Sequence, residues 1–291
     1  MSNSIETNMG NMKKLIMSSL MKKFVMAVTG FVLASFLLAH MLGNLQMLEG
    51  CPLAINAYAN FLQTLPWEFL WGFRVVLALC FVTHFTTAFL LVMENRKARP
   101  QNYAVKKYLA ASPAARTMIY SGVVVIAFII IHILQYTVIV LNPELKSLEW
   151  VATGGMYEGK TIHDVYAMLI ISFSNDWVAI GYIAAMAVIG FHLSYGVSSM
   201  FQSVGMRNEV WRGRLNGLAK IYCAIIAIGF SLNPLAVLAS KYTPCKALPV
   251  ECVLKQYESQ KGKKEIFVNY DFLKKGAACN APAATAQPAA K

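Results

Sequence analysis

FVMAVTGFVLASFLLAHMLGNLQML, from Phe24 to Leu48, contains no Asp, Glu, Lys or Arg and carries a single imidazole, His40. About 20 apolar residues suffice for a helix to cross the hydrocarbon core of a bilayer. An ionisable side chain inside such a run is costly and marks a functional site by default. The arrangement recurs along the chain. Trp71–Met93 carries His84, Thr117–Leu141 carries His132, and Trp177–Phe201 carries His192, while a fifth run, Ile221–Ser240, carries no histidine. None of these runs alternates as a strand would, so the expected fold is all-α, a five-helix transmembrane bundle rather than a barrel. Four lone imidazoles on four helices point to bound metal centres.

Composition agrees with the spans. The chain has 291 residues, 57% hydrophobic and 14% charged, with a mean hydropathy of +0.50, whereas soluble domains carry about 25% charged residues. The net charge of +12 is topological and excludes a nucleic-acid role. Lys13, Lys14, Lys22 and Lys23 precede the first span, and Arg96, Lys97, Arg99, Lys106, Lys107 and Arg116 fill the second loop. Arg207, Arg212, Arg214 and Lys220 fill the fourth loop, while the first and third are acidic or neutral. Basic loops stay on the cytoplasmic side, which puts the N-terminus inside and the C-terminus outside, as in a multi-pass protein of a bacterial cytoplasmic membrane. The first run is too long for a cleavable signal and reads as a retained span.

Three regions follow: a cytoplasmic segment 1–23, a membrane domain 24–240, and a polar outer tail 241–291 that is Ala/Pro-rich from Ala277. The second loop, broken by Pro100 and Pro113, allows at most a short helix. Thr161–Phe173 reads as an amphipathic helix lying on the outer interface, with His163 facing solvent or headgroups. Pro234 is expected to kink the fifth span without ending it. Cys80 and Cys223 read as apolar fillers within spans, whereas Cys51, Cys245, Cys252 and Cys279 fall on the outer side, where disulfides persist.

Depth sorts the histidines into pairs. At 1.5 Å per residue, His40, eight residues before Leu48, and His132, nine before Leu141, lie roughly 12–14 Å from the outer ends of their spans. His84, thirteen residues after Trp71, and His192, fifteen after Trp177, lie roughly 20–22 Å in. Two pairs at two depths are what two stacked bis-histidine haems require, each neutral imidazole having its other nitrogen partnered. Gly43, Ala88, Gly181 and Gly196 would let a flat macrocycle approach. Arg74 either snorkels to the interface or pairs with a propionate of the outer haem.

Particular stretches add a resemblance. HMLGNLQMLEG from His40, NAYANFLQTLPW (56–67), NRKARPQNY (95–103), SPAARTMIYSG (112–122) and HLSYGVSSMFQSVG from His192 together resemble the dihaem cytochrome b subunit of succinate:quinone oxidoreductases. The form meant is the five-helix one with a single large anchor subunit. The resemblance covers about Lys22 to Ser240. It implies two haem b groups, with His40 and His132 on the outer one and His84 and His192 on the inner. It also implies menaquinone as substrate, and partners on the cytoplasmic face: an iron–sulfur subunit and a flavoprotein subunit with FAD. A dimer of such heterotrimers would be a compatible assembly. Tyr195 stands where some members have histidine, and Gly190 where some fumarate reductases have a glutamate linked to transmembrane proton transfer. The resemblance leaves the tail after Lys241 unexplained.

Quinone chemistry moves protons as well as electrons. Asn44, Gln46, Glu49 and Glu68 are the available outer groups, and Glu68 is the chosen proton-relay residue, against its bland reading as a helix-start carboxylate. Two other functions fit parts of the pattern: a dihaem b subunit of a formate dehydrogenase or hydrogenase, and a transporter with a histidine relay.

Overall fold

The computed structural model describes residues 18–98, 101, 112–243 and 247–275. Lys13, Lys14, Arg99, Pro100, Lys106, Lys107, Cys245, Cys279 and the stretch from Ala277 lie outside the described residues. The first elements are α1 (Ser19–Leu45) with a 3-10 turn (Gln46–Glu49), α2 (Pro52–Gln63), α3 (Trp67–Ala98) and the single turn α4 (Pro113–Arg116). Next come α5 (Met118–His132) running into a π turn (Ile133–Thr137), β1 (Leu148–Val151), β2 (Thr161–His163) and α6 (Val165–Phe173). The remainder is α7 (Asp176–Ser203), α8 (Glu209–Tyr242), α9 (Val250–Gln260), β3 (Ile266–Phe267) and α10 (Asp271–Lys275).

Among the described residues, five helices are long and apolar enough to cross a membrane: α1 with its 3-10 turn, α3, α5 with its π turn, α7 and α8. The chain is a multi-pass, mainly α-helical membrane protein. Its exposed surface carries Phe31, Val75, Leu79, Val123, Ile180 and Ile221, a pattern that suits hydrocarbon rather than water. Helices outrun the apolar runs. The fifth begins at Glu209 rather than Ile221 and the second continues to Ala98, because a hydropathy window reads the hydrocarbon segment and not the polar turns beyond it. Pro234 sits inside α8 without ending it.

The chain divides into two compact units. The first comprises Met1–Ala39, Trp67–Val123 and Ile189–Ile225, and the second His40–Pro66, Val124–Val188 and Ile226–Lys291. In the first unit Lys22 pairs with Glu94, and Tyr222 donates its hydroxyl to the Ala34 carbonyl at 2.6 Å. Phe36 and Phe73 meet edge to face.

The second unit has a core of the kind found in water-soluble domains, built on Met47, Leu148, Trp150, Tyr166, Ile170 and Val253. This corrects three expectations. Seven of the nine residues of α6 are buried, so it is a central core helix rather than an amphipathic one on the interface; a helix apolar all round belongs inside. His163 is half-buried on β2, with its Nε2 sealed from solvent. The segment after Lys241 is no mere polar tail, because α9, β3 and Ile266, Val268, Tyr270 and Phe272 complete the core. Cys252 in this segment is disulfide-bonded, whereas Cys51 carries a free thiol.

A small sheet, absent from the all-α expectation, runs in the order β2-β1-β3, with β1 antiparallel to β2 and parallel to β3. Two glutamines of α9 serve the chain around β3. Gln260 donates to the Phe267 carbonyl and accepts from its N–H, and Gln256 does the same at Asn269. Each side-chain amide takes the place of a peptide group from a further strand, which leaves less open edge.

Asp164 ties this layer together. Fully buried, it caps α6 by accepting from Ala167 N–H at 2.9 Å, and it also accepts from Asn56 Nδ2 at 3.0 Å and Tyr270 Oη at 2.8 Å. Asn56 in turn accepts from Tyr166 N–H at 2.9 Å. Burial pushes the carboxyl up to about 6 against the pull of these donors. A folded-state value above the unfolded one means that the fold binds this proton more tightly. Its contribution is complete below about pH 4 and is lost as pH rises to about 6, roughly 3 kcal/mol in all. Amide exchange along α6 should therefore quicken between pH 4 and 6 relative to Asp164→Asn, whose amide oxygen can still accept from Ala167 and Asn56 while its nitrogen donates to Tyr270 Oη; parallel pH profiles would contradict this.

Candidate functional site: two histidine pairs

Each unit holds one pair of the histidines carried by the apolar spans. His84 on α3 and His192 on α7 belong to the first, and His40 on α1 and His132 on α5 to the second. All four rings are half-buried. In the second unit the pair meets directly, with ring centroids of His40 and His132 5.9 Å apart and planes at 82°.

The ring nitrogens can be assigned from their partners. His84 Nδ1 lies 3.1 Å from the Met26 carbonyl, which can only accept, so this nitrogen carries the proton. Thr29 Oγ1 lies 3.3 Å from the same nitrogen and donates its own proton to the Val25 carbonyl at 2.8 Å. His192 Nδ1 meets Ser121 Oγ at 3.0 Å, and that hydroxyl donates to the Met118 carbonyl at 3.0 Å. With its proton committed, the serine oxygen accepts from Nδ1–H. His132 Nδ1 meets Tyr182 Oη at 3.3 Å, and Tyr182 donates to Gln135 Oε1 at 3.0 Å. These three networks assign the proton to Nδ1 and leave Nε2 as the basic nitrogen. A metal-ligating histidine has this form, one nitrogen free to coordinate and the other donating to a protein acceptor.

His40 differs. Asn44 Nδ2 donates to the His40 carbonyl at 2.8 Å and approaches its Nε2 at 3.5 Å. The Asn44 carbonyl accepts from Asn233 Nδ2 at 2.9 Å, which fixes this end of α1 to α8. Phe230 lies beside the His40 ring, while Phe128, Tyr136 and Tyr182 surround His132.

Two glycines face the imidazole rings directly. A Cβ at Gly30 would lie 3.1 Å from His84 Cε1, and one at Gly122 would lie 3.4 Å from His192 Cε1. Gly43 admits the Tyr58 ring, Gly196 faces Met118, and nothing lies within 4 Å of a Cβ at Gly181. Thr29–Gly30 and Ser121–Gly122 are thus the same device, a hydroxyl that binds an imidazole followed by a glycine that admits it. Arg74 is exposed, with its guanidinium carbon 5.3 Å from the Trp71 ring centre, a cation–π distance. Glu68 is exposed in the first turn of α3, and Gln46 and Glu49 lie in the 3-10 turn.

Among the described residues no three His, Cys, Asp or Glu side chains converge as a metal site. Nor does any protein-family model, curated protein or solved structure match the chain. The likeness to cytochrome b subunits therefore rests on the stretches quoted above.

Glycine substitutions separate the two kinds of position. A Cβ at Gly43 would sit 2.5 Å from Tyr58 Cε1, so Gly43→Ala should cost about 1–3 kcal/mol through overpacking. Gly181→Ala should stay within about 0.5 kcal/mol. Thermal unfolding of the purified variants checks both values.

Proposed function

We propose that the chain is the membrane-anchor and electron-transfer subunit of a succinate dehydrogenase or fumarate reductase. In this reading it passes electrons between an iron–sulfur subunit and menaquinone through two bis-histidine b haems. The observation that carries it is the 5.9 Å separation of the His40 and His132 ring centres. A spacing of this order would let the two imidazoles hold one metal centre between them.

When bound, each haem would supply a one-electron carrier. His84 and His192 would hold the inner haem, and His40 and His132 the outer. Met26, Thr29, Ser121 and Tyr182 keep the Nδ1 protons of three of these rings committed, which raises ligand basicity and fixes ring orientation. Gly30 and Gly122 provide close approach to the rings. Arg74, stacked on Trp71, is the proposed partner of a haem propionate, and Glu68 the proposed proton relay for the quinone. The flavoprotein and iron–sulfur subunits would dock on the basic cytoplasmic face, with the C-terminal layer outside; a disulfide at Cys252 suits an oxidising compartment.

A histidine-relay transporter is less well supported. Such proteins use helices broken at mid-membrane, whereas α1, α3 and α7 run unbroken past their histidines. In a redox titration of the purified complex two b-type centres should appear. His40→Ala and His132→Ala should abolish one of them, and His84→Ala and His192→Ala the other. Absence of haem absorbance, or loss in the crossed combination, would refute the assignment. Glu68→Gln should slow quinone-linked turnover by at least tenfold while both spectra persist; unchanged turnover would remove Glu68 from the proton path.

A further inference from the structure

The inner and outer histidines differ in where their hydrogen-bond chains end. His84 donates to a backbone carbonyl, and the hydroxyl serving His192 ends on another, so both chains close within helix backbone. The chain from His132 continues through side chains, from Nδ1–H to Tyr182 Oη and from Tyr182 O–H to Gln135 Oε1. Gln135 is only 5% exposed, yet it lines a cavity of about 400 Å³. At its buried end this cavity is bounded by Gln135 and Ser172, and elsewhere by the exposed Asn142, Asn175, Glu258 and Lys261. Because Gln135 Oε1 accepts from Tyr182, its amide N–H groups are left for whatever enters. A polar cavity of this size has room for several waters.

We propose that Tyr182 and Gln135 are positioning residues for His132, and that they connect its second ring nitrogen to a water-accessible cavity. Tyr182 sets the strength of the hydrogen bond that His132 donates, and Gln135 orients Tyr182 by taking its proton. Water in the cavity exchanges with the chain at Gln135. The outer centre is therefore tuned through a side-chain chain open to solvent protons, while the chains of the inner pair end on helix carbonyls. The inference rests on the haem reading for its redox consequence, but the hydrogen-bond chain belongs to the protein alone.

The test uses the purified complex, reduced so that bis-histidine centres are diamagnetic, with ¹⁵N-labelled histidine. In wild type the His132 Nδ1 proton should exchange with D₂O faster than those of His84 and His192, and Gln135→Leu should slow that exchange alone. Tyr182→Phe keeps the ring packed against Phe128 and Phe173 but removes the acceptor. It should raise the potential of the outer centre only, by roughly a tenfold change in the reduced-to-oxidised ratio, or 59 mV for one electron. Ser121→Ala should move only the inner centre. Equal shifts in both centres, no shift in either, or exchange at His132 as slow as at His84 would overturn the proposal. If no haem is present at all, the functional reading fails, and the NMR comparison still decides the chain.

Discussion

An imidazole in hydrocarbon has two nitrogens to satisfy, and how each is satisfied governs the interior of this protein. Neutral histidine carries one donor and one acceptor, and an unmet polar group in that environment costs several kcal/mol. Here the donor is met from within. At His192 and His132 the partner is a hydroxyl whose own proton is already committed, to the Met118 carbonyl or to Gln135; at His84 it is the Met26 carbonyl, with Thr29 alongside. Serine and threonine in helices commonly donate back to a carbonyl three or four residues earlier. That habit turns a residue able to donate or accept into an acceptor facing the imidazole. Nε2 is left as the nitrogen with an unshared pair, and three rings arrive at that state by different local means.

The histidines were legible in the sequence because each is a lone polar side chain in a long apolar run. Their partners were not. Thr29, Ser121 and Tyr182 lie 55, 71 and 50 residues from the histidines they serve, and spacing along one helix carries no information about a contact to another. The same limit explains the glycines. Gly43 and Gly181 were read by their phase relative to a histidine on their own helix, yet a glycine serves whatever packs against it from elsewhere. For Gly43 that is Tyr58. The usable signal was a hydroxyl followed by glycine, present at Thr29–Gly30 and again at Ser121–Gly122.

The C-terminal layer was hidden by its average polarity rather than by lack of pattern. Buried Ile266, Val268, Tyr270 and Phe272 alternate strictly, and Val250, Val253 and Tyr257 keep helical spacing. A reading tuned to 20-residue apolar spans passes over both. Nothing in α6 separates a short core helix from an interfacial one except that it is apolar on every face. Asp164 was likewise opaque, because its three donors come from Asn56 on α2, Ala167 on α6 and Tyr270 in the link between β3 and α10, far apart in the chain.

That layer bears on the histidines through the turn that follows His132. The α-helix gives way there to a π turn over Ile133–Thr137, and two residues further on Ile139 adopts a φ of 53°. A β-branched residue in the left-handed region is strained by about 1–3 kcal/mol, and π turns recur at functional sites because they redirect side chains. Here the redirected side chains include Gln135, which bonds Tyr182, and Tyr136, which lies against the His132 ring. Ile139 packs on the buried core that α6, α9 and β1 share. Burial there offsets a backbone conformation that an isolated transmembrane helix would not keep. A water-type core beside a membrane histidine is therefore more than a cap on the bundle: it stabilises the irregular backbone from which the side-chain chain to the Gln135 cavity is built.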